Sequence, residues 1–216
     1  IRDKLCLAKL AERLSNRSIV AFDTEFIREK TYFPQLGLIQ VADQDDAWLV
    51  DPLVLDKKAL TPLLEVFADS KILKVAHSAE QDQVCLYHSY GTVAEPLFDT
   101  AIGAALSGFG DQISLANLVK KTLGARLPKT HTRADWLRRP LPEVMAAYAL
   151  ADVAHLVEVA ELLLAKLDSR GRRRQRHPGC GHAGNRRRGA DFSGCDRIGK
   201  PGAVNDPFRQ CAGSFS

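Results

Sequence analysis

The stretch that most constrains this chain is SIVAFDTEFIREK, residues 18–30. The apolar run Ile19 to Phe22 reads as a buried strand. It passes without a turn into Asp23-Thr24-Glu25, and apolar residues resume at Phe26 and Ile27. Side chains alternate along a strand, so Asp23 and Glu25 share one face. Two carboxylates about 4 Å apart repel by on the order of 4 kcal/mol at an effective dielectric near 20. A fold tolerates this with cations nearby or with raised pKa values. An isolated D-x-E is more often a solvated strand end, so the rest of the chain must decide.

Leu5, Leu7, Leu10 and Leu14 recur near helical spacing and predict a helix over residues 3–15. Tyr32-Phe33-Pro34-Gln35 reads as a loop, because proline lacks a donor and restricts its predecessor. Residues 36–41 and 47–50 read as an antiparallel strand pair joined by the acidic turn Asp43-Gln44-Asp45-Asp46. Helices are expected over 60–68 and 79–88, with a short strand over 71–76 between them. Leu97-Phe98 meets Asp99-Thr100 and then an alanine-rich helix. Ser114 caps a helix that Gly124 ends. Pro142 opens one long helix reaching Leu167. This order predicts an α/β domain with a mixed central sheet and helices on its faces.

The charge is unevenly spread. Eleven of the 30 basic residues but three of the 26 acidic ones lie from residue 170 onward, leaving residues 1–169 with 19 and 23. That segment also holds nine of the 15 glycines, and its apolar residues follow neither period. The expected organisation is a folded domain over 1–168 and a basic, disordered Gly/Arg-rich tail over 169–216. Such a tail attracts polyanions without choosing among them. No apolar run approaches the ~18 residues of a membrane span. The opening Ile1-Arg2-Asp3-Lys4 has no signal-peptide pattern. The expectation is a cytoplasmic monomer without membrane contact, and a fragment or trimmed product at its N-terminus.

Two further stretches bear on the acids. In KVAHSAEQDQVCL, residues 74–86, a short strand runs into His77, and Asp82 falls in the first turns of the next helix. Alone, an acid there merely suits the helix dipole. In AAYALADVAHL, residues 146–156, Tyr148 and Asp152 are four apart and share a helical face. Small alanines around them allow close approach to a sheet. Alone, these would be a core aromatic and an exposed acid.

Together the order is D-x-E on the first strand, an Asp after a strand–His element, and Y-x-x-x-D on a late helix. In this the chain resembles ribonuclease D and, more broadly, the DEDDy group of 3′→5′ exonucleases. The matching segments are FDTEFIREKTYFPQLGLIQVAD at 22–43, LVDPL at 49–53, KVAHSAEQD at 74–82, LFDT at 97–100, RADWLRRPL at 133–141 and YALADVAHL at 148–156. The resemblance implies a ribonuclease-H-like fold with about five strands. It implies that Asp23, Glu25, Asp82 and Asp152 hold two divalent cations, Mg²⁺ or Mn²⁺, as suits an all-carboxylate set. It also implies that Tyr148 orients or helps deprotonate the attacking water, and that nucleoside 5′-monophosphates leave from RNA 3′ ends, tRNA precursors above all. The weaker expected substrate contacts are His77, Phe26, Tyr32, Phe33, Gln35, Lys129, Arg133 and Arg138. A DNA-directed exonuclease of the same mechanism and a non-catalytic nucleic-acid-binding fragment are the alternatives. Ribonuclease D normally continues into helical HRDC domains, which residues 170–216 do not resemble.

Overall fold

The structure is a computed structural model that describes residues 1–28, 33–128, 134–169 and 171. Three expected substrate contacts, Tyr32, Lys129 and Arg133, lie outside the described residues, as does almost all of the basic segment expected after residue 169.

The chain runs α1 (Lys4–Ser15), β1 (Ile19–Ile27), β2 (Gln35–Ala42), β3 (Ala47–Val50), α2 (Lys57–Ala68), β4 (Leu73–Ala76), α3 (Glu80–Tyr90), β5 (Leu97–Asp99), α4 (Thr100–Leu106), α5 (Leu115–Leu123), α6 (Glu143–Ala154) and α7 (Leu156–Ser169). Local chemistry sets several of these ends. The Asp3 carboxylate accepts from the backbone N–H groups of Leu5 and Cys6, and Asp56 does the same for Ala59. Ser114 caps α5, and Gly124 stops it in the left-handed conformation at φ 71°. The acidic β2–β3 turn is neutralised. The Asp43 carboxylate accepts from the backbone N–H groups of Asp45 and Asp46 and pairs with Arg13 and Arg17.

The strands form one mixed sheet in the order β3-β2-β1-β4-β5. β1 lies at its centre, antiparallel to β2 and parallel to β4. Its alternation divides the core. Val20 and Phe22 pack with Leu10, Leu14, Leu60, Phe67 and Leu86 of α1, α2 and α3. The Phe22 and Phe67 rings meet at 5.2 Å, and burying each contributes roughly 1.5–3 kcal/mol. On the opposite face Ala21, Ala42 and Val75 meet Val153, Leu156 and Ala160 of α6 and α7. Leu38 and Leu49 meet Trp136, Met145 and Ala149 there. The expected layering of helices on both faces of a mixed sheet is what the chain adopts.

The helix expected from Pro142 to Leu167 is two helices. Pro142 is the cap residue of α6, and the helix breaks at His155, whose φ of −112° departs from helical geometry. No glycine or proline marks the break. α6 packs across β1, β2 and β3, whereas α7 packs on β1, β4, α4 and α5. A twisted sheet presents those surfaces in different directions, so the helix changes course between them. No helix among the described residues is long and apolar enough to cross a membrane.

Candidate active site

The face of β1 that carries Ala21 also carries Asp23, Glu25 and Ile27. Ile27 packs beside Tyr148 in the cluster under α6. α6 crosses this face and brings Asp152 down onto the strand. One oxygen from each of Asp23, Glu25 and Asp152 lies within 4.8 Å of the others. The period-2 and period-4 spacings of the sequence therefore converge on one half-buried cluster.

Crowding raises the proton affinity of the acids. Burial, then the negative charges of Asp82, Glu25 and Asp152, push the Asp23 carboxyl well above the usual carboxylate range. Burial, then Asp152 and Asp82, lift Glu25 to about 8. Burial lifts Asp152 to about 6, opposed by a hydrogen bond from Tyr148.

Asp82 joins the site by another route. It lies in the first turn of α3 and is 6% exposed. Its Oδ1 accepts from the Thr24 backbone N–H at 3.1 Å and from the Thr24 hydroxyl. Thr24 points to the opposite face of β1 from Asp23 and Glu25, so Asp82 reaches the acids around the strand. Burial brings its carboxyl to about 6, against the downward pull of both Thr24 bonds. Asp99 at the end of β5 fixes the loop that starts α3, accepting from the backbone N–H groups of Ser78 at 3.0 Å and Ala79 at 2.9 Å.

Tyr148 sits one turn before Asp152 and donates to it. Burial, that bond and the surrounding carboxylates hold the phenol protonated far above its ordinary range. The Trp136 ring packs beside it, with centroids 6.2 Å apart. Trp136 is in turn locked by Arg139, all five of whose N–H groups donate. Nε and Nη2 bond the two oxygens of the fully buried Asp51, each at 2.8 Å. Nη2 also reaches the Gly37 carbonyl at 2.7 Å, and Nη1 serves the carbonyls of Trp136 and Arg138. Gly37 lies where the β1–β2 register slips, between the pairs Glu25–Leu38 and Phe26–Leu36. A Cβ on Gly37 would stand 2.6 Å from the Trp136 carbonyl oxygen.

The expected substrate contacts among the described residues differ in their settings. His77 spends both ring nitrogens internally. Nε2 is 3.0 Å from the Ile113 carbonyl and must donate to it, and Nδ1 lies 2.9 Å from the Thr100 hydroxyl. Burial lowers its pKa, and the Thr100 hydroxyl also donates to the Ala76 carbonyl at 3.1 Å, so the ring belongs to an internal network. Phe26 packs against the α1–α3 core. Gln35 is exposed at the start of β2, and Arg138 is exposed. Phe33 is 49% exposed and lies 4.0 Å from the His88 ring. Sequence reasoning missed Thr24, Asp51, Trp136 and Arg139. Asp51, Trp136 and Arg139 stand in the quoted segments LVDPL and RADWLRRPL, but only the fold reveals their mutual contacts.

A carboxylate cluster on the central strand of a mixed β3-β2-β1-β4-β5 sheet, facing a helix-borne Tyr and Asp, defines a ribonuclease-H-like nuclease fold. The model of the 3′-5′ exonuclease family matches residues 1–168, and the chain belongs to that family. Within it, the chain is similar to the ribonuclease D of Gluconacetobacter diazotrophicus. The two are 44% identical over 168 residues, which cover 77% of this chain and 42% of the relative. Among solved structures, RNase D of Escherichia coli, described as an exoribonuclease involved in structured RNA processing, matches with a TM-score of 0.72 and 37% identity. That match covers 76% of this chain and 44% of the other. The catalytic core of RRP6 from Trypanosoma brucei matches at 0.73 and 28% identity, over 80% of this chain and 48% of the other. The chain thus spans less than half the length of these relatives.

Proposed function

We propose that residues 1–168 form the catalytic domain of a metal-dependent 3′→5′ exoribonuclease of the ribonuclease D kind, trimming the 3′ ends of structured RNAs such as tRNA precursors. The observation that carries this reading is the convergence of Asp23, Glu25 and Asp152 within 4.8 Å beside Tyr148. The names and described role of the similar proteins support an RNA substrate, and the 3′-5′ exonuclease family supports the direction of attack.

The donor set fits hard divalent cations. It is all carboxylate oxygen, and the mutual repulsion that raises its proton affinity is relieved by positive charge. Asp23, Glu25 and Asp152, with Asp82 behind Asp23, would hold two ions, Mg²⁺ or Mn²⁺. When bound, such ions activate a water and stabilise the leaving oxygen of an in-line displacement at phosphorus. The protein's own part is positional. Thr24 aims Asp82, and Asp99 fixes the loop that delivers it. Tyr148 donates to Asp152 and so positions that carboxylate, and its phenol oxygen is left to accept from, and orient, the attacking water. Hydrolysis breaks the terminal P–O3′ bond and releases a nucleoside 5′-monophosphate.

The test uses matched RNA and DNA oligomers, labelled at either end, in Mg²⁺ or Mn²⁺ and then in EDTA. Stepwise mononucleotide release from RNA 3′ ends, abolished by EDTA and by Asp23→Asn, is the expected result. Internal fragments, or activity indifferent to EDTA, would overturn it. Equal rates on DNA would overturn the RNA assignment alone.

A further inference from the structure

Gln40 stands in the middle of β2 and is fully buried. Among the described residues, neither its amide nitrogen nor its amide oxygen has a hydrogen-bond partner. Buried carboxamides are almost always satisfied, so an orphan of this kind calls for a physical reason.

Its position supplies one. Gln40 is the direct cross-strand partner of Asp23 in the antiparallel β1–β2 pair. Paired residues project from the same face with Cβ atoms about 4.5–5.5 Å apart, a gap that a glutamine side chain spans. On that face, Leu38 belongs to the apolar cluster with Met145 and Ala149, and Ala42 to the cluster with Val153 and Leu156. Gln40 lies between the two, beneath the turn of α6 that carries Asp152. Asp23 and Gln40 therefore form a polar strip on this face of the sheet, with one apolar cluster on either side of Gln40. An apolar residue would have joined them into one. The site's acids are all acceptors once ionised, whereas the Gln40 amide nitrogen carries two donors.

We propose that Gln40 is a positioning residue of the cation site: its amide nitrogen donates to the Asp23 carboxylate when that carboxylate turns to a divalent cation, and so fixes the oxygen that Asp23 presents. The inference rests on the reading that Asp23, Glu25 and Asp152 hold cations. Groups that orient metal ligands in this way typically change metal affinity by roughly 10- to 100-fold when removed. In the metal-free protein the orphaned amide is a liability, and an apolar replacement of the same shape removes it.

The two effects have opposite signs, which makes the test decisive. Mn²⁺ binding is measured by calorimetry on the wild-type chain, Asp23→Asn and Gln40→Met, with melting temperatures taken in EDTA. Gln40→Met is expected to bind Mn²⁺ about 10- to 100-fold more weakly while melting no lower than wild type. Gln40→Leu serves as the second replacement, read in the same way. Wild-type affinity in either variant overturns the proposal, as does a lowered melting temperature in EDTA, which would mark a purely structural role. If the wild type binds no Mn²⁺, or Asp23→Asn binds as tightly, the cation-site reading itself falls and takes this one with it. An independent readout needs no substitution: the ¹⁵N-labelled Gln40 side-chain amide should shift during Mg²⁺ titration with the midpoint of binding. An unmoved signal overturns the proposal.

Discussion

Thr24 donates both its backbone N–H and its hydroxyl to one oxygen of Asp82, across 58 residues of sequence. The residue between the two acids of D-T-E is thus the tether of a third. Because Thr24 points away from Asp23 and Glu25, the central strand holds two carboxylates on one face and reaches a further one from the other. Thr24→Val keeps the shape and deletes only the hydroxyl. Loss of one hydrogen bond to a charged group should cost about 1.5–3 kcal/mol of stability at neutral pH. Release of Asp82 should lower kcat about 10- to 100-fold. Thermal melts and single-turnover hydrolysis check the two effects, and a variant with full activity would show that Asp82 needs no tether.

The raised carboxyls give the metal-free protein a specific pH response. Unfolded Asp and Glu titrate near ~4, whereas in the fold Asp82 and Asp152 stand at about 6 and Glu25 at about 8. Between those values the folded state binds more protons than the unfolded state, so these groups lower stability as pH rises from about 4 to 8. A divalent cation bound to the ionised acids reverses this. The rise in melting temperature on replacing EDTA with Mg²⁺ should therefore be small at pH 5 and grow to about 4 °C or more at pH 8. Scanning fluorimetry across this range checks it, and a rise independent of pH would place the cation elsewhere.

Much of this arrangement was legible in the sequence because it is written in short periods. Alternation put Asp23 and Glu25 on one face, and the four-residue spacing joined Tyr148 to Asp152. Tertiary partners were not legible. Arg139 meets Asp51 and Gly37 across 88 and 102 residues, and nothing in RADWLRRPL distinguishes this clamped arginine from exposed Arg138. The break at His155 was missed because the apolar pattern continues through it, and the sheet's twist, not a breaker residue, ends α6. His77 could be read either as a structural hydrogen-bonder or as a substrate contact, and its ring nitrogens bond Thr100 and Ile113. Gln40 is one polar residue in an apolar strand, and only the register places it beside Asp23.

The Arg139 clamp predicts a sharp response at Gly37. The backbone of Trp136 passes so closely that a Cβ would sit 2.6 Å from its carbonyl oxygen and 3.0 Å from its Cβ. The segment cannot yield easily, because Arg139 ties it to Asp51 and to Gly37 itself. Gly37→Ala should destabilise the fold by about 1–3 kcal/mol. It should also lower kcat, because Trp136 is the ring that packs on Tyr148. Denaturant unfolding and steady-state kinetics together check this, and an unchanged kcat in a destabilised variant would separate the clamp from catalysis.

Tyr148 is the residue on which the division of labour turns. In the metal-free protein burial, the bond to Asp152 and three carboxylates hold the phenol protonated, whereas cations on those carboxylates would pull it the other way. Tyr148→Phe preserves the ring against Trp136 and removes only the donor. Hydrolysis should fall on the order of 10²-fold, the size expected when a hydroxyl positioned at the reacting water is lost. Mn²⁺ affinity is measured alongside, because the phenol donates to Asp152 and groups that orient metal ligands change affinity by roughly 10- to 100-fold when removed. The pH–rate profile decides the role. If Tyr148 only orients water, the profile keeps its shape and drops uniformly. If it acted as the base, the rise in rate with pH through its titration would disappear with the hydroxyl. Rates for wild type and Tyr148→Phe between pH 6 and 10, measured at saturating Mn²⁺, would distinguish the two.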